Sequence, residues 1–235
     1  FSPNPGDTST FKAGDIVKLD LGAHVNGYVG DTALTVEVST KKNQDLIKAS
    51  KEALEAAIKL VRPGTKLFEI GETVSQVIES YGFKPIKNLC GHRIEQYNLH
   101  GGLTIPNYNN HDKTELEENT VIAIEPFAST GVGLVKEGKS ANVYRIINLK
   151  QTRDPVTREI LKFISDNFNT LPFAKRHLFP KFTLQRATLA LFTLEREGII
   201  MQYPQLPEKD DNALVSQHEH TICVKDKPIV LTKFE

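Results

Sequence analysis

Four acidic residues stand inside or at the end of strand-sized apolar runs. They are Asp20 in Lys18-Leu19-Asp20-Leu21-Gly22, Asp31 in Gly30-Asp31-Thr32-Ala33-Leu34, Glu125 after Val121-Ile122-Ala123-Ile124, and Glu219 in Gln217-His218-Glu219-His220-Thr221-Ile222-Cys223. A carboxylate inside a buried strand is costly unless it is paired or bound to a cation. Asp20 and Asp31 fall on the two arms of one expected hairpin, Asp15–Val38, turned at Val25-Asn26-Gly27-Tyr28, where Asn-Gly tolerates positive φ. Two carboxylates on facing strands oppose joint ionisation, and a metal cation removes that conflict. The plainer alternative is an Asp at each strand edge making turn hydrogen bonds.

The rest of the chain reads as mixed α and β. Leu46, Ala49, Ala53, Leu54, Ala57, Ile58 and Val61 repeat at helical spacing until Arg62-Pro63-Gly64. Ile70, Val74, Val77, Ile78 and Tyr81 form a second helical stripe ending at Gly82. A Gly/Asn/His-rich loop over Lys87–Asn110 follows, then strands over Thr120–Phe127 and Asn142–Leu149. Asp154-Pro155 caps a helix carrying Val156, Ile160, Ile164 and Phe168, and Thr183–Glu197 is another, stopped by Gly198. Ile199–Tyr203 and Leu214–Val224 are expected to form a hairpin around the loop Pro204–Asn212, and Lys225–Phe234 a last strand. This predicts an α+β domain over 1–150 and 213–235, with a helical, winged-helix-like subdomain over 151–212.

Composition narrows the function classes. Charge is balanced, 29 Lys+Arg against 29 Asp+Glu, which argues against a dedicated nucleic-acid binder or a polybasic membrane protein. No apolar run approaches the ~20 residues of a membrane span. Two cysteines, Cys90 and Cys223, are too few for a disulfide framework in 235 residues, and a cytoplasmic protein is expected. Position 1 is Phe and the one methionine is Met201, so the true start is expected to lie upstream.

Nitrogen donors are fewer. His92 in Cys90-Gly91-His92-Arg93-Ile94 and His100 before Gly101-Gly102 suit either metal ligands or ordinary loop histidines. Strand alternation puts Gln217, Glu219, Thr221 and Cys223 on one face and His218, His220 and Ile222 on the other. A His218/His220 chelate is therefore a competing local reading. Two Asp, one His and two Glu carry more negative charge than one divalent ion needs. Such a set suits two ions sharing carboxylates, the logic of two-metal hydrolysis.

The order Asp20, Asp31, His92, Glu125, Glu219 resembles the ligand set of the methionine aminopeptidases, enzymes of the pita-bread fold. The phrases Lys18-Leu19-Asp20-Leu21-Gly22, Asn88-Leu89-Cys90-Gly91-His92, Ala123-Ile124-Glu125-Pro126-Phe127 and Gln217-His218-Glu219-His220-Thr221 carry the resemblance. The interval of 94 residues from Glu125 to Glu219 is similar to that of the type 2 enzymes, which carry a helical insertion there, and an archaeal-like member is expected. An antiparallel sheet flanked by helices follows from the resemblance.

So do the roles. Asp31 and Glu219 would bridge two divalent ions (Co, Mn, Fe or Zn), Asp20 would complete one site, and His92 and Glu125 the other. A hydroxide held between the ions would attack the peptide carbonyl, with Glu125 relaying the proton. His100 would contact substrate and steady the tetrahedral centre, and Leu99 would help line the methionine pocket.

The implied substrates are N-terminal methionine peptides and nascent chains with a small second residue. The ribosome is a candidate partner, no nucleic acid or membrane is required, and a monomer is expected. The type 2 pattern also expects a histidine directly before Phe1, and an apolar aromatic where His218 stands. A non-enzymatic pita-bread module binding RNA, ribosomes or proteins and an Xaa-Pro peptidase of the same fold are the alternatives.

Overall fold

A computed structural model describes residues 1–233. In chain order the elements are β1 (Ile16–Val25), β2 (Tyr28–Glu37), α1 (Gln44–Leu60), α2 (Leu67–Ser80), β3 (Lys84–Pro85), β4 (Gly91–Arg93), β5 (Thr104–Ile105), β6 (Val121–Ile124) and β7 (Phe127–Ser129). Then come β8 (Ser140–Ile146), α3 (Pro155–Phe168), β9 (Phe173–Ala174), a 3-10 turn (Lys175–Leu178), α4 (Leu184–Arg196), β10 (Ile200–Pro204), β11 (Val215–Gln217), β12 (His220–Cys223) and β13 (Ile229–Val230). The chain forms two compact units, Thr10–Lys136 with Pro207–Glu235, and Phe1–Ser9 with Glu137–Leu206.

The larger unit carries the acidic residues. Asn26 and Gly27, at φ 52° and 83°, make the two-residue turn that joins β1 to β2. The five-stranded antiparallel sheet has the order β13-β12-β6-β4-β5, and a three-stranded one the order β11-β7-β3. Helices α1 and α2 cover them: Leu46, Ala49, Ala53, Leu54 and Ala57 of α1 and Leu67, Ile70, Val74 and Ile78 of α2 pack with Ile122, Ile124 and Ile222. Each fully buried Ile or Leu contributes about 1.5–3 kcal/mol, so this face holds the unit together.

The expected strand Thr120–Phe127 is broken into β6 and β7 at Glu125-Pro126. Its partner breaks at the same height, at His218-Glu219. Gln217 pairs with Phe127 and His220 with Ile124, so the register carries through and sets Glu219 opposite Glu125 and His218 opposite Pro126. His218 N donates to Pro126 O at 3.4 Å, but Pro126 has no N–H to return. Glu219 instead exchanges both backbone hydrogen bonds with Ala33 of β2 (2.9 and 3.3 Å).

Two short strands lie within the stretch expected as loop, Lys87–Asn110. They are β4 and β5. Gly91 permits β4: a Cβ there would stand 2.2 Å from Ala123 O of β6. Of the expected final strand Lys225–Phe234 only β13 is formed, and Phe234 lies outside the described residues.

In the smaller unit Asp154 accepts a hydrogen bond from Thr157 N at 2.7 Å with Pro155 behind it, and Thr183 caps α4 by accepting from Arg186 N. Here the expected hairpin of Ile199–Tyr203 with Leu214–Val224 does not form. β10 pairs with β8, in a sheet ordered β10-β8-β9, while β11 and β12 pair with β7 and β6. The physical reason is apolar burial: Tyr144 and Ile146 of β8 and Ile200 of β10 close over Ile160, Ile164, Leu191 and Leu194. Residues 137–150 and 1–9 therefore belong with 151–206, where the sequence reading began the insertion at 151 and ended it at 212.

Candidate metal centre

All five residues of the candidate set lie in the larger unit. β1 and β2 pair Asp20 with Ala33 and Gly22 with Asp31, so the two aspartates are diagonal neighbours on one face of the hairpin. β4 brings His92 beside Ala123 of β6, and Glu125 follows directly on the last residue of β6, Ile124. The β2 contact at Ala33 brings in Glu219.

Threonine hydroxyls dock β2 where no regular ladder runs. Asp31 N donates to Thr221 Oγ1 at 2.8 Å, and that hydroxyl donates to Asp31 O at 2.8 Å. Thr35 Oγ1 repeats the pattern with Gln217, donating to its carbonyl (2.7 Å) and accepting from its N–H (2.8 Å). Thr32 Oγ1 donates to Glu219 O at 2.9 Å.

Ligating atoms of Asp31, His92 and Glu219 lie within 4.8 Å of one another, and the three residues are only 2–8% exposed. His92 Nε2 is 3.8 Å from Asp31 Oδ2 and 3.7 Å from Glu125 Oε1. Those gaps are too long for hydrogen bonds. They suit donors that share an ion at about 2.0–2.2 Å from each.

Gln217 closes the cluster on the other side. Its amide Nε2 donates to Asp20 Oδ2 at 3.0 Å and to Glu125 Oε2 at 3.4 Å. Asp20 is the most solvent-exposed of the five.

The electrostatics favour a cation among these groups. Burial, and then the Asp20 charge, push the Asp31 carboxyl up to about 7. Burial and the charges of Glu125, Asp31 and Asp20 push Glu219 up to about 11. Glu125 is raised well above the ordinary carboxylate range by burial, Asp20 and Asp31. Burial holds His92 down, which favours the neutral imidazole that ligates metals. Burial and mutual repulsion favour the protonated carboxyls, and a divalent ion relieves both. The donor set, oxygen-rich with one nitrogen, fits such ions.

His100 sits at the exposed side, its ring 4.7 Å from that of His92 in edge-to-face contact, and Leu99 beside it is half-buried. The structure gives His218 and His220 separate partners. His218 Nδ1 meets Ser50 Oγ at 2.8 Å and His220 Nδ1 meets Thr232 Oγ1 at 2.9 Å. Gln217 and Thr221 are the residues that sequence reasoning passed over; their alternation onto the Glu219 face was the available signal.

Residues 2–151 match metallopeptidase family M24. Methionine aminopeptidase of Archaeoglobus fulgidus is 45% identical over 232 residues, covering 99% of this chain and 77% of that protein. Methionine aminopeptidase of Methanocaldococcus jannaschii is 42% identical with the same coverage. Among solved structures, methionine aminopeptidase from Rickettsia prowazekii superposes with a TM-score of 0.64 at 21% identity, covering 97% of this chain and 68% of that one. A thermophilic Arx1 superposes at 0.78 with 22% identity, covering 93% and 66%. At these identities the structural likeness speaks for the pita-bread fold alone.

Proposed function

This chain belongs to the methionine aminopeptidases of metallopeptidase family M24, and from that premise we propose that Asp20, Asp31, His92, Glu125 and Glu219 hold two divalent ions for removal of N-terminal methionine. The observation that carries the reading is the buried Asp31–His92–Glu219 group, whose carboxyls are driven far above their ordinary values by burial and by neighbouring carboxylates. Asp31, His92 and Glu219 would hold such an ion together, with Asp20 and Glu125 beside them supplying further oxygen donors.

When bound, the ions polarise the scissile carbonyl and acidify the attacking water. Glu125 takes the proton of that water and delivers it to the leaving amine, a role that suits a carboxyl raised by its surroundings. Gln217 keeps Glu125 and Asp20 in register through its amide. His100, at the exposed side of His92, donates to the developing oxyanion, and half-buried Leu99 offers an apolar wall to the methionine side chain. The substrate's free amine would lie against the carboxylates.

The enzyme is read as the archaeal form of type 2, with the helical unit between Glu125 and Glu219 as its insertion. It acts as a cytoplasmic monomer on peptides and nascent chains with small second residues, with the ribosome as a candidate site of action. Among the described residues no helix is long and apolar enough to cross a membrane. Mn, Fe, Co and Zn all match the donor set.

The test is release of methionine from Met-Ala-Ser by metal-stripped protein titrated with Mn²⁺ or Co²⁺. Ion-dependent release is expected. Folded protein that binds the ions and releases nothing, also with an extended N-terminus, refutes the proposal.

A further inference from the structure

His218 points away from the acidic cluster, into α1. Its Nδ1 lies 2.8 Å from Ser50 Oγ, Ser50 Oγ lies 2.9 Å from Ser216 Oγ, and Ser216 Oγ donates to Leu46 O at 2.6 Å. Ser50 and Ser216 are fully buried. A fourth, longer contact joins Ser50 Oγ to Ile47 O at 3.2 Å.

Proton counting gives the chain a direction. The two hydroxyls own one proton each, so three short contacts need a third. If Nδ1 of His218 carries it, every short contact is filled head to tail: His218 to Ser50, Ser50 to Ser216, Ser216 to Leu46. With Nδ1 unprotonated, one contact sets lone pair against lone pair in a buried site. The geometry therefore favours the Nδ1–H tautomer.

The chain sits at the break between β11 and β12. At His218 the ladder toward Pro126 has lost one of its two hydrogen bonds, and the next residue is Glu219, the least exposed of the candidate ligands. Ala33 fixes the backbone of Glu219 from the β2 side. The His218–Ser50–Ser216 chain ties the same segment to α1. Ser50 stays inaccessible and its hydroxyl is spent on the chain, which argues against a nucleophile.

We propose that His218 is a positioning residue: through Ser50 and Ser216 it anchors the break between β11 and β12 to α1 and thereby sets the Glu219 carboxylate for ion binding. The proposal rests on the reading of the acidic cluster as a metal centre.

The experiment measures Mn²⁺ affinity by calorimetry and by the free-ion EPR signal, alongside melting temperature and steady-state kinetics. His218→Phe keeps a ring but removes the donor; Ser50→Ala removes the middle hydroxyl at almost no change in volume. Each is expected to weaken Mn²⁺ binding about tenfold, the lower end for residues that orient ligands, with KM for Met-Ala-Ser unchanged at saturating metal. The double variant is expected to be no weaker than the worse single one, because the two changes cut one chain. His218→Asn, whose amide N–H stands near the place of Nδ1–H, is expected to restore most of the affinity. Lowered melting temperatures with unchanged Mn²⁺ affinity overturn the proposal, as do strictly additive losses. Absence of Mn²⁺ binding by the unaltered protein overturns the metal-centre reading and this proposal with it; binding there, with unaffected variants, overturns this proposal alone.

Discussion

Asp31→Asn should stabilise the metal-free protein while removing its metal binding. In the folded chain the Asp31 carboxyl titrates near 7, against an ordinary value of 3.8, because of burial first and the Asp20 charge second. Between those values the folded state holds a proton that the unfolded chain has released. Stability therefore falls as pH rises from about 4 to about 7, and the full penalty persists above 7. A rise from 3.8 to about 7, at 1.36 kcal/mol per pH step, sets a ceiling of roughly 4 kcal/mol, and because the Asp31 and Asp20 charges interact, about 2–3 kcal/mol is the gain expected.

The substitution leaves intact the main-chain hydrogen bonds of Asp31 with Thr221, so little offsets that gain. At about 2–4 °C per kcal/mol for a chain of this size, stripped Asp31→Asn should melt roughly 5–10 °C above the stripped parent at pH 8. At pH 4 the two should nearly coincide. Added Mn²⁺ should reverse the order, since an ion at about a thousand times its Kd stabilises the parent by about 4.1 kcal/mol. Scanning calorimetry after chelation reads all three. A stripped variant that melts at or below the parent at pH 8 would refute the electrostatic account.

Three further outcomes follow from named contacts. Gln217→Leu removes the amide that joins Asp20 to Glu125, and kcat/KM should drop about 10–100-fold with Mn²⁺ affinity falling in parallel, by calorimetry. His100→Ala should leave Mn²⁺ affinity unchanged and lower kcat by about 10²–10³, the usual cost of an oxyanion donor; an unchanged kcat removes His100 from the reaction. Gly91→Ala drives a methyl onto Ala123 O, so β4 must shift, and a loss of about 1–3 kcal/mol in denaturant melts is expected together with weakened metal binding through His92.

Local patterns announced their own elements. The stripe from Leu46 to Ala57 is the buried face of α1, and Asn26-Gly27 makes the turn of the β1–β2 hairpin. Carboxylates inside apolar strands were conspicuous for the same reason: they contradict the local environment, and only a partner from elsewhere resolves the contradiction. Pairing between distant segments leaves no such mark. Nothing in Ile200–Tyr203 states that its partner is β8 rather than the apolar run after Leu214; the choice is made by which surfaces cover α3 and α4. Gly91-His92-Arg93 has poor strand propensity and becomes β4 because a side-chain-free position fits against β6. Gln217 reads as an ordinary polar strand residue until Asp20 and Glu125 arrive within reach of its amide.

The threonine attachment of β2 has a consequence for how this unit comes apart. Thr35 and Thr221 substitute hydroxyls for much of a backbone ladder, while β1 and β2 pair with each other over ten residues each. The hairpin can thus lift away as one piece, its internal pairing unbroken, for the loss of a few side-chain bonds and the Ala33–Glu219 bridge. Asp20 and Asp31 ride on that piece; His92, Glu125 and Glu219 stay behind. A cation gripped from both sides is then a clasp on a hinged flap, and chelation should speed amide hydrogen exchange at the seam far more than within the hairpin itself.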